Sequence, residues 1–250
     1  MLVAVAIACG GVGAARADEG AEGYPRAALD RPRVLPRGTI EARLDLALVA
    51  RQVTVLGEAV VSTALEPVLG VRYGVLPAVD AEVSYRFSLK DLEPRGVLRV
   101  GLRYGLRERG RVRLAARVTS GYRVLDEAFG GIGAGVDLQL RLAKVVAITT
   151  PGDQLVLGCA DGARPIALRL PVGVSVQAAP AVTLFAQTVV AVIAVAPAEG
   201  SEVIGRDLTP LLIGGAWSSG AIDLGLALDV DDLGRVADRY AFRATVALRR

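Results

Sequence analysis

The 250-residue chain contains no histidine, and that absence removes more classes of function than any motif present adds. Without imidazole there is no histidine general base, no Ser-His or Cys-His nucleophile pair and no imidazole-built zinc site. Cysteine is nearly missing too, with Cys9 and Cys159 only. Cleavage after Ala17 leaves Cys159 alone, which excludes an intramolecular disulfide; it reads as a spectator thiol in a loop or at a strand end. Aromatic residues are scarce at 4%. Beyond the N-terminus no apolar run approaches the roughly 20 residues that a membrane helix requires, although 52% of the residues are hydrophobic and the mean hydropathy is +0.45. Neither charge sign dominates: 29 basic residues face 26 acidic ones for a net +3, too balanced for nucleic-acid binding by bulk electrostatics, and no DNA- or RNA-binding motif is present.

What is there is alternation. In Val79 to Lys90, VDAEVSYRFSLK, one face carries Val79, Ala81, Val83, Tyr85, Phe87 and Leu89 and the other Asp80, Glu82, Ser84, Arg86, Ser88 and Lys90, the period-2 pattern of a two-faced strand. The same pattern runs through Ile40 to Leu48, Val60 to Tyr73, Leu98 to Tyr104, Val112 to Thr119, Gly131 to Leu142 and Ile166 to Val176. Val182 to Ile193 is apolar on both faces except for Thr183, Gln187 and Thr188, which leaves its orientation open, and Pro210 to Trp217, Ala221 to Val230 and Arg239 to Leu248 complete the set. Pro67 removes a ladder hydrogen bond, so a bulge or weak pairing is expected there. Val145 to Thr149 reads as a short strand followed by a loop from Pro151 to Pro165; with it the count is about twelve. Connections near residues 74, 108, 143, 179 and 219 are short, and those near 54, 93, 125, 157, 201 and 234 longer.

So many strands with short turns predict an all-β fold: a single closed antiparallel transmembrane β-barrel over residues 39–250, apolar outside and polar inside, of about twelve strands. Strands such as GVLRVGLRYGL and YAFRATVALRR make the whole mature chain resemble bacterial outer-membrane β-barrel proteins of the porin-like kind. The resemblance implies short periplasmic turns, longer extracellular loops, contact with outer-membrane lipid and insertion by the barrel-assembly machinery. Tyr73, Tyr104 and Trp217 then fall near periplasmic ends and Tyr85, Phe87, Tyr240 and Phe242 near outer ends, as interfacial girdles. The chain departs from the class by ending Leu248-Arg249-Arg250, without a terminal aromatic residue. The familiar enzymes of this class, phospholipases, deacylases, palmitoyl transferases and omptin-like proteases, use a histidine that this chain lacks.

The N-terminus fits export. Leu2 to Ala15 are small and apolar, and Ala15-Arg16-Ala17 offers an A-x-A site, so residues 1–17 read as a signal peptide; no Lys or Arg precedes the apolar core, and Ala6-Ile7-Ala8-Cys9 is a lipoprotein-like alternative. Residues 18–38, with Pro25, Pro32 and Pro36, read as an extended periplasmic arm, with a plug as the alternative.

The candidate site is the inner wall, where Asp80, Glu82 and Arg86 neighbour Arg99 and Arg103, and these neighbour Arg113 and Arg117. Two readings stand. A row of guanidinium groups favours small anionic solutes in a pore; alternatively the opposite charges pair and fill the interior. No catalytic residue, cofactor or metal is expected. The alternating glycines from Gly130 to Gly135 read as small inward residues rather than a phosphate loop, and Asp229, Asp231, Asp232 and Asp238 as solvated loop charges, with weak divalent-cation binding as the alternative. The rival functions are a periplasmic lipid-binding β protein, with the faces inverted, and an outer-membrane enzyme working through Glu82 or Asp137 without histidine.

Overall fold

In the computed structural model, residues 24–55, 58–87, 96–108, 110–124, 127–158, 166–196, 202–205, 210–233 and 239–250 are described; residues 1–17, read from the sequence as a signal peptide, lie outside them, as do Cys159 and Asp238. The strands are β1 (Ile40–Val55), β2 (Glu58–Leu76), β3 (Val79–Arg86), β4 (Val97–Arg107), β5 (Val112–Arg123), β6 (Ala128–Arg141), β7 (Val146–Thr150), β8 (Leu155–Gly158), β9 (Ile166–Ala179), β10 (Val182–Ala196), β11 (Glu202–Gly205), β12 (Leu211–Ser218), β13 (Ile222–Val230) and β14 (Arg239–Arg249). All pairings are antiparallel, and β14 pairs with β1 from Glu41–Arg249 to Arg51–Arg239, which closes the ring. The result is the expected closed barrel of 12 strands. The number is reached because β7 and β8 occupy one position, each pairing with both β6 and β9. Strand β11 pairs with the extension of β10 and stands outside the ring.

Alternation sorts the side chains as a barrel in lipid requires. Outward positions are apolar and exposed, among them Leu102, Val118, Leu184 and Leu226, the last 71% exposed. Inward positions carry Asp80, Gln139 and Thr119, all buried. A water-soluble lipid carrier needs the inverse, so that rival is overturned by the faces themselves. The orientation of β10 is settled as well: Leu184 and Val190 are exposed on the outside, Thr183 is buried on the inside, and Phe185 packs inward over Gly214. Tyr73, Tyr104 and Trp217 lie exposed near the short-turn end. Near the opposite end Tyr85 and Phe87 pack edge to face at 4.4 Å, and Tyr240 and Phe242 at 6.0 Å.

Four expectations are corrected. Strand β1 ends at Val55 and β2 begins at Glu58, so the connection expected to be long spans two residues. Pro67 makes no bulge against β1, where Leu46 pairs with it in continuous register. Its carbonyl accepts the Phe87 N–H, so its missing donor points toward β3, and the β2–β3 ladder stops beside it, at Val68–Arg86. The expected loop after Pro151 holds β8. Residues 151–154 fold inward: Asp153 meets Arg117 and Thr119 on the inner wall, and the Gln154 amide donates to the Val136 carbonyl at 3.0 Å and accepts from the Val136 N–H. With the Thr150 hydroxyl, which accepts the Leu138 N–H at 3.1 Å, it replaces backbone partners that the interrupted strand withholds from β6. A Cβ on Gly133 would run into Asp153 and Thr119, which is why glycine stands there and why the alternating glycines are inward spacers.

The fourth correction concerns residues 24–38. The expected extended arm is folded across the short-turn mouth of the barrel, with Leu29, Val34 and Leu35 buried. Its short 3-10 turn, Ala28–Asp30, drives Leu29 inward, so apolar contacts and backbone hydrogen bonds to the wall outweigh solvation of an arm that carries four apolar anchors including Tyr24.

Candidate channel lumen

The inner wall is organised as a belt of alternating charge across the closure seam. Asp223 on β13 accepts from Arg249 on β14 at 2.5 Å; Arg249 reaches Glu41 on β1 at 2.6 Å; Glu41 lies 3.6 Å from Arg72 on β2; and Arg72 donates to Asp80 on β3 at 2.6 Å. Five consecutive strands each contribute one charge of alternating sign. Inward-pointing residues of adjacent strands stand within contact distance, so strict alternation along each strand is what brings these groups together. Both partners of Arg249–Glu41 are 6% exposed at the side chain, and removing one member of a pair so buried costs about 3–5 kcal/mol.

Residues 24–38 complete this belt. Arg31 forks onto Asp223 at 2.6 and 2.8 Å and donates to Ser218. The Tyr24 ring lies under the guanidinium groups of Arg249 and Arg31, at 4.8 and 5.5 Å; burial pushes its phenol pKa up, opposed by Arg249, and so keeps it neutral. The Leu29 carbonyl accepts from Arg113 at 2.8 Å and from Gln139 at 3.3 Å, while its N–H donates to Gln177 at 3.4 Å. The Leu35 N–H donates to Asp80 at 2.9 Å. Glu108, in the β4–β5 turn, accepts the N–H groups of Arg33 and Val34 at 2.9 and 3.2 Å. Burial holds the Glu108 carboxyl above its ordinary value, and those two donors partly oppose the shift. Against β2 the fit is tight enough that a Cβ on Gly74 would overlap the Pro36 carbonyl.

All seven inner-wall residues picked out from the alternation point inward, but they do two different things. Arg103 reaches Glu82 at 2.5 Å and Asp137 at 3.7 Å, Arg117 reaches Asp153 at 3.1 Å, and Arg113 holds the carbonyls of Leu29 and Arg31. With Asp80 bound to Arg72, these five are committed to neighbours. Arg86 and Arg99 are exposed toward the long-loop mouth and form no ion pair or hydrogen bond among the described residues. Arg86 sits within electrostatic reach of Arg99, Glu66, Arg243 and Arg239. Of that group, Glu66 is taken by Arg51 at 3.1 Å, Arg243 by Asp229, and Arg239 by Asp231 at 2.7 Å. Asp229 and Asp231 are thereby ion-paired rather than free for a cation, and no cluster fit for a metal occurs among the described residues.

Glu41, Arg72, Asp223, Arg249 and the whole inner set on residues 24–38 were not picked out from sequence. The signal for the first four was available, since each occupies an inward position of an alternating strand. Nothing in residues 24–38 is periodic, and only the tertiary fold reveals their contacts.

An apolar exterior, a charged interior and a ring closed by hydrogen bonds define a transmembrane β-barrel of the porin-like outer-membrane class. No family model and no curated protein matches the sequence. Among solved structures, the NanC porin superposes with a TM-score of 0.54 at 13% identity, over 82% of this chain and 98% of that one. An outer-membrane channel from Pseudomonas putida F1 superposes with a TM-score of 0.53 at 14% identity, over 87% of this chain and 96% of that one. At such identities the likeness is one of fold.

Proposed function

We propose that the chain is a non-enzymatic, porin-like channel of the bacterial outer membrane that takes small anionic solutes in through the long-loop mouth. The observation that carries this reading is the pair Arg86 and Arg99, inward-facing, exposed and without ion-pair partners among the described residues, above a deeper wall whose cations are held by carboxylates or backbone carbonyls. Unpaired guanidinium groups at a mouth raise the local concentration of anions, whereas paired ones mainly hold the wall together. The absence of histidine supports a passage over a reaction site.

The test is conductance of the full mature chain in planar bilayers under a potassium chloride gradient. A unit charge acts on an ion ~10 Å away in water with about 0.4 kcal/mol, a factor of ~2 in preference. Arg86→Glu with Arg99→Glu changes the mouth by four charge units, so the chloride preference of the wild type should fall by roughly 15-fold before screening. Failure to conduct, or a reversal potential that the double substitution leaves in place, overturns the reading.

A further inference from the structure

The rim at the short-turn end carries cations without an ion-pair partner among the described residues. Arg107 closes β4, Arg111 precedes β5, and Lys144 tips the β6–β7 turn; all three are exposed and form no ion pair among the described residues. Arg37 and Arg250, also exposed, extend the basic arc to the closure seam. The turns on the other side of the rim, residues 180–181 and 219–221, bear no charge.

Two features of the fold turn the Arg107 end of this arc outward. By strict alternation from Arg99 and Arg103, Arg107 would point into the lumen. A register shift between Gly105 and Arg107 pairs Arg107 with Leu114, an outward residue, and so turns it to the membrane side. The acid next to it, Glu108, is drawn the other way: its carboxylate accepts the Arg33 and Val34 N–H groups. The turn thus spends its carboxylate on residues 24–38 and leaves Arg107 and Arg111 without an acidic partner among the described residues. Just inside the rim stand Tyr104, Leu106, Leu142 and Val145, all exposed and apolar. The cations therefore stand where the apolar belt gives way to water, at the depth of lipid headgroups.

We infer that Arg107, Arg111 and Lys144 form a docking surface for the phosphates of anionic phospholipids in the leaflet at the short-turn end. The two turns are separated by strands β5 and β6, about 10 Å at ~4.8 Å per strand, so neighbouring headgroups can be held side by side while their acyl chains lie along the apolar belt. A cation at a membrane surface contributes about fivefold in binding to anionic lipid. The inference rests on the barrel spanning a bilayer, not on conduction.

The experiment places the full mature chain in vesicles of phosphatidylcholine alone, or of equal parts phosphatidylcholine and phosphatidylglycerol. Lipid retained after gentle detergent extraction is read by native mass spectrometry. Phosphatidylglycerol should be retained at least ~5-fold over phosphatidylcholine, and Arg107→Gln with Arg111→Gln and Lys144→Gln should abolish the preference. A heat-dependent gel shift retained by the wild type and by the triple substitution shows that each is a folded barrel. Equal retention of the two lipids by the wild type, or a preference that survives the triple substitution, overturns the docking surface. A wild-type chain that shows no heat-dependent shift in either vesicle overturns the membrane reading as well.

Discussion

The two ends of the barrel solve the same problem in opposite ways. At the short-turn end the inward charges are consumed: Asp223, Arg249, Glu41, Arg72 and Asp80 form one chain of ion pairs, and residues 24–38 supply further partners through Arg31 and the backbone of Leu29 and Leu35. At the long-loop end Arg51, Arg239 and Arg243 have acidic partners, but Arg86 and Arg99 have none among the described residues. A charge removed from water must be paired, whereas a charge left in a wet mouth need not be. The first arrangement is one of closure and the second one of access.

The sharpest way to break that contrast is Asp80→Ala. Asp80 has no exposed surface and holds both Arg72 and the Leu35 N–H, so its loss leaves the Arg72 guanidinium only its longer contacts to Glu41 at 3.6 Å and the Arg33 carbonyl at 3.4 Å and should cost about 3–5 kcal/mol in urea unfolding. Arg86→Gln, at the other end, should change the same midpoint by no more than ~0.5 kcal/mol. Equal effects at the two ends would erase the distinction.

Gly133→Val comes next. The added side chain collides with Asp153 and Thr119, so the inward turn at residues 151–154 must give way. The expected cost is about 1–3 kcal/mol, with single-channel conductance rising as the turn leaves the lumen.

Tyr24→Ala removes the ring beneath Arg249 and Arg31, a contact of about 0.5–2 kcal/mol. Residues 24–38 should then be cut more readily by trypsin, and open-channel probability should rise. Unchanged proteolysis would mean that the hydrogen bonds of Leu29 and Leu35 suffice.

The smallest effect concerns pH. Because burial raises the Glu108 pKa above its ordinary value, the docked state favours the protonated acid. Its contribution to docking is full below the ordinary glutamate range and is lost as pH rises through the raised value. A spin label on Arg26→Cys in a Cys159→Ser background should become more mobile as pH increases through that window. Glu108→Gln, which stays neutral, should flatten the response.

Much of this barrel was legible in its sequence because strand alternation is a local property. In VDAEVSYRFSLK and GVLRVGLRYGL every second side chain is apolar, and no tertiary contact is needed to know that two faces exist. The inward direction of Arg103 and Arg117 followed at once. Their partners did not: Asp137 and Asp153 come from β6 and from a turn folded back into the lumen, and register between strands decides those meetings. Arg107 shows the limit from the other side, since one register shift moves it to the face that alternation denies it.

By itself, then, the sequence determined the class of fold, the sorting of apolar and polar faces and the exclusion of histidine chemistry, because composition and period-2 patterning are written residue by residue. Only the tertiary structure decided that residues 24–38 fold across one mouth, that residues 151–154 turn inward and that five strands share one chain of charge. Those features depend on which groups meet across space when the ring closes, and on the cost of leaving a buried charge or backbone N–H without a partner.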